Sequence, residues 1–305
     1  IIVYDGAVVS GGSLSLSSTE TLYSTSYDEN FSGNSVQNIE SGGLSFSANF
    51  TDTSNTQFIK ADGIASGTTT HASQVISSGG TARDTRILSG GSQTVMSGGS
   101  ASGTFIENGG SASISFGGVS QDIVIGSGGF LSIEAYYDGS SVGSALNVTL
   151  QSGGTLSLDD GVSVTDLTVE VGGVIDFQDM QWDSSNSFSV SGNQITITSP
   201  SGTQSITVQS PYGQLKESDF KIEDDDSGSY FGDGTELKLI ACYCPETLIL
   251  TPDGERLISN LNIGDKVITT NSETRSIRWK GFRSYSAEEI ASNPALRPVI
   301  FSPGS

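Results

Sequence analysis

Basic residues are scarce in this chain. It has 305 residues, of which 13 are Lys or Arg and 34 are Asp or Glu, for a formal net charge of −21. Because phosphate contacts need cations, this balance excludes a nucleic-acid partner and disfavours electrostatic binding to an anionic membrane. Polysaccharide-cleaving β-helices cluster Lys, Arg or His on one face, and residues 1–200 offer only Lys60, Arg83, Arg86 and His71 for that task.

Cysteines and long apolar runs are also nearly absent. The two cysteines, Cys242 and Cys244, are too close in sequence to staple a domain, so disulfides do not hold this fold together. No apolar run approaches 18 residues, which predicts no membrane insertion. The chain starts at Ile1 without Met or a signal peptide, as expected of a processed product or a fragment.

Glycine is abundant, with 39 residues, and its pairs are regularly spaced. Gly-Gly pairs begin at positions 79, 90, 98, 109, 117 and 128, so intervals of 11 and 8 alternate and the period is 19. A second stretch repeats the period at Gly153 and Gly172. A fixed period of this length predicts a solenoid, in which each repeat is one coil stacked on the next.

Aliphatic residues follow the same period. One series is Ile87, Ile106 and Ile125, and another is Ile76, Val95, Ile114 and Ile133. Nineteen residues are too few for a strand, a helix and two turns, and the Ser, Thr, Gly, Val and Ile content favours strands. The sequence therefore predicts an all-β fold, a right-handed parallel β-solenoid with a dry interior ladder of these aliphatics.

Charge and composition divide the chain into three parts. We predict a solenoid over 1–177 with irregular N-terminal coils, a β-strand cap and acidic linker over 178–241, and a separate module over 242–305. Residues 1–200 carry 19 acids and 3 bases, whereas residues 242–305 carry 7 of each. Residues 135–147 interrupt the repeat and are predicted to be an insertion.

The Ser-Gly-Gly rhythm of residues 70–177 resembles the passenger repeats of AIDA-type autotransporter adhesins. The resemblance implies a secreted or surface-exposed β-helix that acts in adhesion or self-association. In that family Ser and Thr can also carry heptose, although no acceptor can be named in this chain.

The segment from Cys242 resembles the start of a Hint domain, the fold of hedgehog autoprocessing domains and inteins. The matching residues are CYCPETLILTPDG from Cys242 and LNIGDKVITT from Leu261. The resemblance implies that Cys242 is the nucleophile of an N–S acyl shift at the Ala241–Cys242 bond, with Thr247 as part of the motif. Glu246 replaces the usual Gly before Thr247.

The family also uses a later histidine to activate the scissile amide, and residues 243–305 contain none. A neutral thiol without a base is a poor nucleophile, so we expect this half of a Hint domain to be inert. The chain is accordingly predicted not to be an enzyme, with autoprocessing confined to a longer form. No cofactor or metal site is predicted, since Cys242 and Cys244 alone cannot complete a zinc centre.

Three other features are candidate sites. The acidic run from Glu223 to Asp226 could bind Ca²⁺ but lacks the spacing of a calcium loop, which favours a solvated linker. His71 is expected to be a surface residue. Three aromatic residues could form a sugar-binding patch, although covering the solenoid is the simpler role: Tyr136, Tyr137 and Trp182.

These observations favour a structural repeat protein, secreted or on the bacterial cell surface, that adheres, self-associates, or builds filaments or a biofilm matrix. Its predicted partners are other copies of itself, with cell-surface or matrix glycans as a second expectation. The first alternative is a precursor that cleaves or ligates at Ala241–Cys242. The weaker alternative is a polysaccharide-acting β-helix, which fold analogy alone cannot support.

Overall fold

Parallel strands stacked coil upon coil form most of the molecule. The computed structural model describes residues 1–136, 141–162, 164–211, 215–225, 234–240, 248–269 and 273–278. The chain folds as two compact units, residues 1–240 and residues 241–305. The predicted parallel β-solenoid is confirmed by the strand pairing of the first unit.

Each coil contributes one strand to a first sheet. These strands pair in parallel with the next coil, and their register is maintained along the whole stack. Their bounds are Ile2–Val3, Thr19–Leu22, Val36–Ile39, Thr56–Ile59, Ser73–Ile76, Ser92–Val95, Ser111–Ile114, Phe130–Ile133, Thr155–Leu158 and Val174–Phe177.

The rest of each coil lies in a second sheet, as two short strands or as one longer bent strand. A residue with positive φ stands at the corner between the two short strands, for example Asp84 at φ 51° and Gly103 at φ 66°. The bounds are Val8–Ser10, Ser13–Leu14, Thr25–Tyr27, Asn30–Phe31, Leu44–Phe46, Asn49–Phe50, Ile64–Ser66, Thr69–Thr70, Thr81–Arg83, Arg86–Ile87, Ser100–Ser102, Phe105–Ile106, Val119–Ile125, Ser144–Leu150 and Val164–Val169.

The predicted aliphatic columns are confirmed. Ile87 lies beside Ile106 and Ile106 beside Ile125 in the second sheet, and all three are fully buried. Ile76, Val95, Ile114 and Ile133 form the equivalent column of the first sheet. One 19-residue repeat is therefore one coil in the region of regular glycine pairs.

The N-terminal coils keep their strands and vary their turns. Thr21 pairs with Asn38, Asn38 with Phe58, and Phe58 with Val75, so these coils contain 17, 20 and 17 residues. In the shorter coils a turn has two residues, 23–24 or 71–72, where the regular coils have four. The irregular glycine spacing of residues 1–70 thus reflects changes in turn length rather than loss of the solenoid.

The interior differs from the expected dry ladder. Gln37, Gln57, Gln74 and Gln93 are buried one above another, and each later side-chain amide donates to the Oε1 of the one before it, at 2.6–2.7 Å. Gln37 donates to Oε2 of Glu20 at 2.8 Å. We call the hydrogen-bonded side chains from Glu20 to Gln93 the amide ladder. Beyond the ladder the same column continues with the aliphatic residues Ala112, Leu131, Leu156 and Ile175.

Antiparallel strands cover the C-terminal end of the solenoid. Thr235–Leu239 pairs antiparallel with Val174–Phe177, and Phe220–Asp224 pairs with Thr235–Leu239. A three-stranded meander adds to the second sheet, where Leu167 pairs with Val208. Its strands are Ser187–Ser191, Gln194–Ser199 and Gly202–Gln209, and a single-turn 3₁₀ helix spans Glu217–Asp219.

The described residues of the second unit form two hairpins. Leu248–Thr251 pairs with Gly254–Leu257, and Lys266–Ile268 pairs with Thr274–Ser276. A 3₁₀ helix, Ile258–Asn260, connects the two hairpins.

Candidate functional site

The Hint-like unit is built from tight turns. Thr251 Oγ1 accepts from the Asp253 amide at 3.3 Å and donates to the Gly254 carbonyl at 2.6 Å, which closes the first hairpin. Gly254 has φ 101°, a conformation that a side chain would strain. The proposed nucleophile Cys242 and the motif residue Thr247 lie outside the described residues.

A second turn centres on Asp265. Its Oδ2 accepts from the Asn262 amide at 2.9 Å and lies 3.6 Å from Nη1 of Arg256. The Arg256 guanidinium also donates to the Asn260 carbonyl at 3.1 Å. The Leu-Asn-Ile-Gly-Asp motif is thus a structural turn that joins the 3₁₀ helix to the second hairpin.

The other sequence candidates are dispersed. His71 is half-buried, with Nδ1 2.9 Å from the Ser89 carbonyl oxygen. Tyr136 packs edge-on against Phe116 with ring centroids 5.3 Å apart, Trp182 is half-buried beyond Phe177, and Tyr137 lies outside the described residues. The structure supplies no support for a shared sugar-binding patch.

Half of the acidic run, which the sequence predicts to be a solvated linker, belongs instead to a strand: Glu223 and Asp224 lie in Phe220–Asp224, and Asp226 lies outside the described residues. Glu223 belongs to the strand Phe220–Asp224 and pairs with Glu236 on the neighbouring strand. Glu236 in turn pairs with Asp176 of the solenoid. The exposed edge of Val174–Phe177 needs a partner strand, and this pairing brings acidic positions into the sheet.

Asp176, Glu236 and Glu223 therefore form a transverse row of three carboxylates on adjacent strands, which we call the acidic row. Directly opposed residues of antiparallel strands have Cβ atoms about 4.5–5.5 Å apart, and like charges there are destabilising. Asp176 is only 7% exposed, and its Oδ2 accepts from the Ser157 hydroxyl at 2.9 Å. Its Oδ1 is buried without a hydrogen-bond partner among the described residues.

Asp225 adds a fourth carboxylate to this region. A Cβ placed on Gly234 would lie 3.0 Å from Oδ2 of Asp225 and 3.1 Å from Oδ1 of Asp176, so both oxygens face the same glycine. A side chain at position 234 would fit only if these carboxylates moved by a few tenths of an ångström.

The environment makes Asp176 and Glu236 harder to ionise. Burial, followed by repulsion from Asp225, raises the pKa of Asp176 to about 6 against the opposing effect of the Ser157 hydrogen bond. Burial, followed by repulsion from Asp176, Glu223 and Asp225, raises the pKa of Glu236 to about 6, and Lys238 opposes the shift.

A second pair of buried carboxyl groups lies in the first coils. Glu20 and Glu29 are almost fully buried, and Oε1 of Glu20 and Oε2 of Glu29 have no hydrogen-bond partner among the described residues. Burial raises the pKa of Glu20, the Gln37 hydrogen bond lowers it, and repulsion by Glu29 raises it. Glu20 ends the amide ladder.

The N-terminal end of the solenoid presents open strand edges. In the part of the chain that the structure describes, Ile2–Val3, Val8–Ser10 and Ser13–Leu14 each pair on one side only. Large apolar side chains are exposed around this end: Ile1, Ile2, Tyr4, Val8 and Leu16. The other end of the first sheet is covered by the strand Thr235–Leu239.

No ready-made metal centre is present in the described ranges: nowhere in them do three or more His, Cys, Asp or Glu residues gather in a suitable group. A search of the same ranges finds no helix that is long and apolar enough to cross a membrane.

The comparisons with known proteins distinguish the two units. Residues 241–305 match the family model described as the Hint domain, which confirms the predicted Hint resemblance for this part of the chain. No curated protein matches the chain.

Among solved structures, the chain is similar to a fragment of TibA, hyper-glycosylated in a reaction catalysed by TibC. The identity is 25%, the alignment covers 57% of this chain and 75% of that chain, and the TM-score is 0.39. A likeness at this TM-score carries no functional argument. The molecule thus combines a parallel β-solenoid, defined by its own strand register, with a Hint-domain segment.

Proposed function

We propose that this chain is a secreted or cell-surface structural protein whose solenoid associates with other copies of itself. The observation that carries the proposal is the asymmetry between the two ends of the solenoid. Among the described residues, the first coil has unpaired strand edges surrounded by exposed apolar side chains, whereas the last coil is covered by an antiparallel strand. Unpaired edges recruit further β-strands, and contiguous exposed apolar surface marks interaction sites.

The Ser, Thr and Gly-rich repeat, similar to AIDA-type passenger repeats, agrees with a surface-exposed scaffold. Few cations are available to the solenoid for catalysis on a polysaccharide, since residues 1–200 contain 3 Lys or Arg and one His. The acidic net charge is compatible with a soluble rod that associates through a local edge rather than through its charged faces.

A lysine on the edge strand tests this proposal. Val8 is 64% exposed on the first coil, and Val119, 49% exposed, occupies the equivalent register position six coils further along the same column. Val8→Lys should abolish the larger species in sedimentation velocity because charged edges resist pairing, whereas Val119→Lys should leave them. A monomeric wild-type protein, or equal association of both variants, would contradict the proposal.

A second candidate function is autoprocessing at the Ala241–Cys242 bond, favoured by the Hint match that starts at residue 241. Thiolate attack by Cys242 on the Ala241 carbonyl would replace the peptide bond by a thioester, and the released amine would take up a proton. That step needs a base and a donor to the leaving amine, and residues 243–305 contain no histidine for either role.

We therefore expect the 305-residue chain to remain intact under excess thiol or hydroxylamine. A longer natural form that supplies a histidine should cleave at this bond, and Cys242→Ala should prevent the cleavage. Mass spectrometry of the product distinguishes a chain that ends at Ala241 from an intact chain. Cleavage that survives Cys242→Ala would refute the assignment of the nucleophile.

A further inference from the structure

Like charges are aligned across the strand that closes the solenoid. In the acidic row, Asp176 of the last coil faces Glu236 of the closing strand, Thr235–Leu239, and Glu236 faces Glu223 of the outermost strand. A register shift of one residue in the closing strand would move Glu236 to the other face, away from Asp176 and Glu223, so the sheet pairing fixes this arrangement.

The remaining charged groups compensate the row only in part. Lys238 stands opposite Lys221, two residues along from the Glu236–Glu223 pair on each strand. Lys221 also forms an ion pair with Glu223 on its own strand. Asp225 faces Asp176 from the outermost strand's end. Asp159, on the turn after the preceding strand, is a further carboxylate near Asp176.

The uncharged groups beside Asp176 satisfy its two carboxylate oxygens unequally. Ser157 donates to Oδ2 of Asp176 and Gln178 lies close enough to stabilise the same carboxylate. Oδ1 of Asp176 is buried and has no hydrogen-bond partner among the described residues, although it faces Gly234 together with Asp225. A proton on Asp176 or Glu236 would remove the repulsion between them.

We propose that the acidic row is a proton-operated latch: protonation docks the closing strand Thr235–Leu239 firmly on the last coil, and ionisation loosens it. The latch controls whether this end of the solenoid is a closed edge or an open one. It does not depend on the association of the N-terminal end proposed above.

The direction of the pH dependence follows from linkage. Carboxyl groups whose pKa is higher in the folded than in the unfolded state bind more protons when folded, so they favour the folded state at low pH. Ordinary pKa values lie near 4, and those of Asp176 and Glu236 are raised to about 6. Docking should therefore weaken as the pH rises from about 4 to about 6 and level off above this range.

The expected location of the effect is as specific as its direction. The backbone amides of Thr235–Leu239 should lose protection when the row ionises, whereas those of interior strands such as Ser92–Val95 should not. The closing strand ends at Leu239, two residues before Ala241, so the latch also determines how firmly the chain is held just ahead of the Hint-like unit.

Hydrogen exchange of the intact 305-residue chain tests the latch. Protection factors, corrected for intrinsic exchange rates, are compared at about pH 5 and about pH 8. In the wild type, protection of residues 235–239 should fall about tenfold or more, the change expected from one unit of pKa shift. Glu236→Gln keeps the size of the side chain and removes one of the two carboxyl groups with a raised pKa, so its closing strand should lose clearly less protection than the wild type between these pH values.

Glu170→Gln is the matched control, because it removes one negative charge from the turn before Val174–Phe177 but outside the row. It should retain the wild-type pH dependence, and Asp176→Asn should resemble Glu236→Gln. Both row variants relieve repulsion and are expected to fold. Thermal unfolding checks that the rest of the solenoid is unchanged.

Three outcomes would overturn the latch: wild-type protection that is independent of pH, pH dependence in Glu236→Gln that is as large as in the wild type, and an equal reduction of pH dependence in Glu170→Gln. A fourth is that millimolar Ca²⁺ restores the protection of the wild type at about pH 8 and has no such effect on Glu236→Gln. That result would make the row a cation site instead. The wild type and the three variants should all still associate through the N-terminal edge at Val8. That result would show that the two proposals are independent.

Discussion

The two halves of the solenoid have the same coil and different interiors. From Glu20 to Gln93 one interior column consists of hydrogen-bonded polar side chains, and from Ala112 to Ile175 the same column is aliphatic. A neighbouring column changes with it, since Thr104 donates to Oε1 of Gln93 and the next residue of that column is Ile123.

This difference shows that the coil does not require a fully apolar interior. Stacking places each amide directly against the next, so every Gln of the amide ladder finds a donor or an acceptor one coil away. Buried polar groups are tolerated when their hydrogen bonds are complete, and a chain of aligned amides strengthens each bond. The aliphatic half gains hydrophobic burial instead.

The largest expected effect is an amide placed in the aliphatic half. Leu131 lies between Ala112 and Leu156, neither of which can hydrogen-bond a side-chain amide. Leu131→Gln should lower the free energy of unfolding by about 4 kcal/mol, through lost burial and an unsatisfied polar group. Urea unfolding measures this loss.

Leu131→Met is the control for that variant, because it conserves volume and should cost less than about 1.5 kcal/mol. If Leu131→Gln cost no more than Leu131→Met, the two interiors would be interchangeable and the comparison would fail.

A smaller effect is expected from an aliphatic residue in the amide ladder. Gln74→Leu leaves Nε2 of Gln93 and Oγ1 of Thr85 without their acceptor, and Oε1 of Gln57 keeps only the Thr68 hydroxyl at 3.4 Å. We expect a loss of about 2 kcal/mol after the gain from burying leucine, measured in the same way. Val75→Gln, on the outward side of the same strand, should change stability by less than about 0.5 kcal/mol.

Replacing Gln57, Gln74 and Gln93 together by Leu sharpens this point. Partners removed together leave fewer unsatisfied groups than three separate replacements, so the triple variant should be less destabilised than the sum of the single variants. Additive losses would show that the ladder's hydrogen bonds are independent.

The smallest effect on stability is expected at Glu20, where the amide ladder ends. The pKa of Glu20 is raised by burial, so the folded state favours the protonated form and stability is lost as the pH rises. Glu20→Gln removes this dependence and should stabilise the protein at neutral pH by about 1 kcal/mol or less. The difference between the unfolding midpoints at about pH 5 and about pH 8 should be smaller in this variant than in the wild type, and an unchanged difference would assign the dependence to other groups such as Asp176 and Glu236.

Much of the site chemistry was not available from local patterns. The Hint segment was recognisable from the motif after Cys242, and the family match agrees with it. The acidic run was visible as composition, but its role was not, because Glu223 and Glu236 are thirteen residues apart and meet Asp176 only through antiparallel pairing. Local spacing cannot specify a pairing across a long connection.

The amide ladder illustrates the same limit at closer range. In Ser73–Ile76 the hydrophobic Val75 points outward and Gln74 points inward. Hydrophobicity alone favours the reverse, but side chains alternate along a strand and the buried Ile76 fixes the parity of its neighbours. The glutamines of the ladder recur every 17–20 residues in the sequence, close to the period of the aliphatic residues. This spacing is the sequence signal of the ladder.

The coil can be predicted without coordinates, because glycine pairs at a fixed period set the turns and aliphatics at the same period set the stacking register. The folded molecule is needed to see which polar residues enter the core, how the variable turns of residues 1–70 are accommodated, and which carboxylates face one another at the covered end. The physical reason is that a repeat encodes contacts between equivalent residues of adjacent coils. Parity within a strand and pairing between distant strands are settled only when the whole sheet forms.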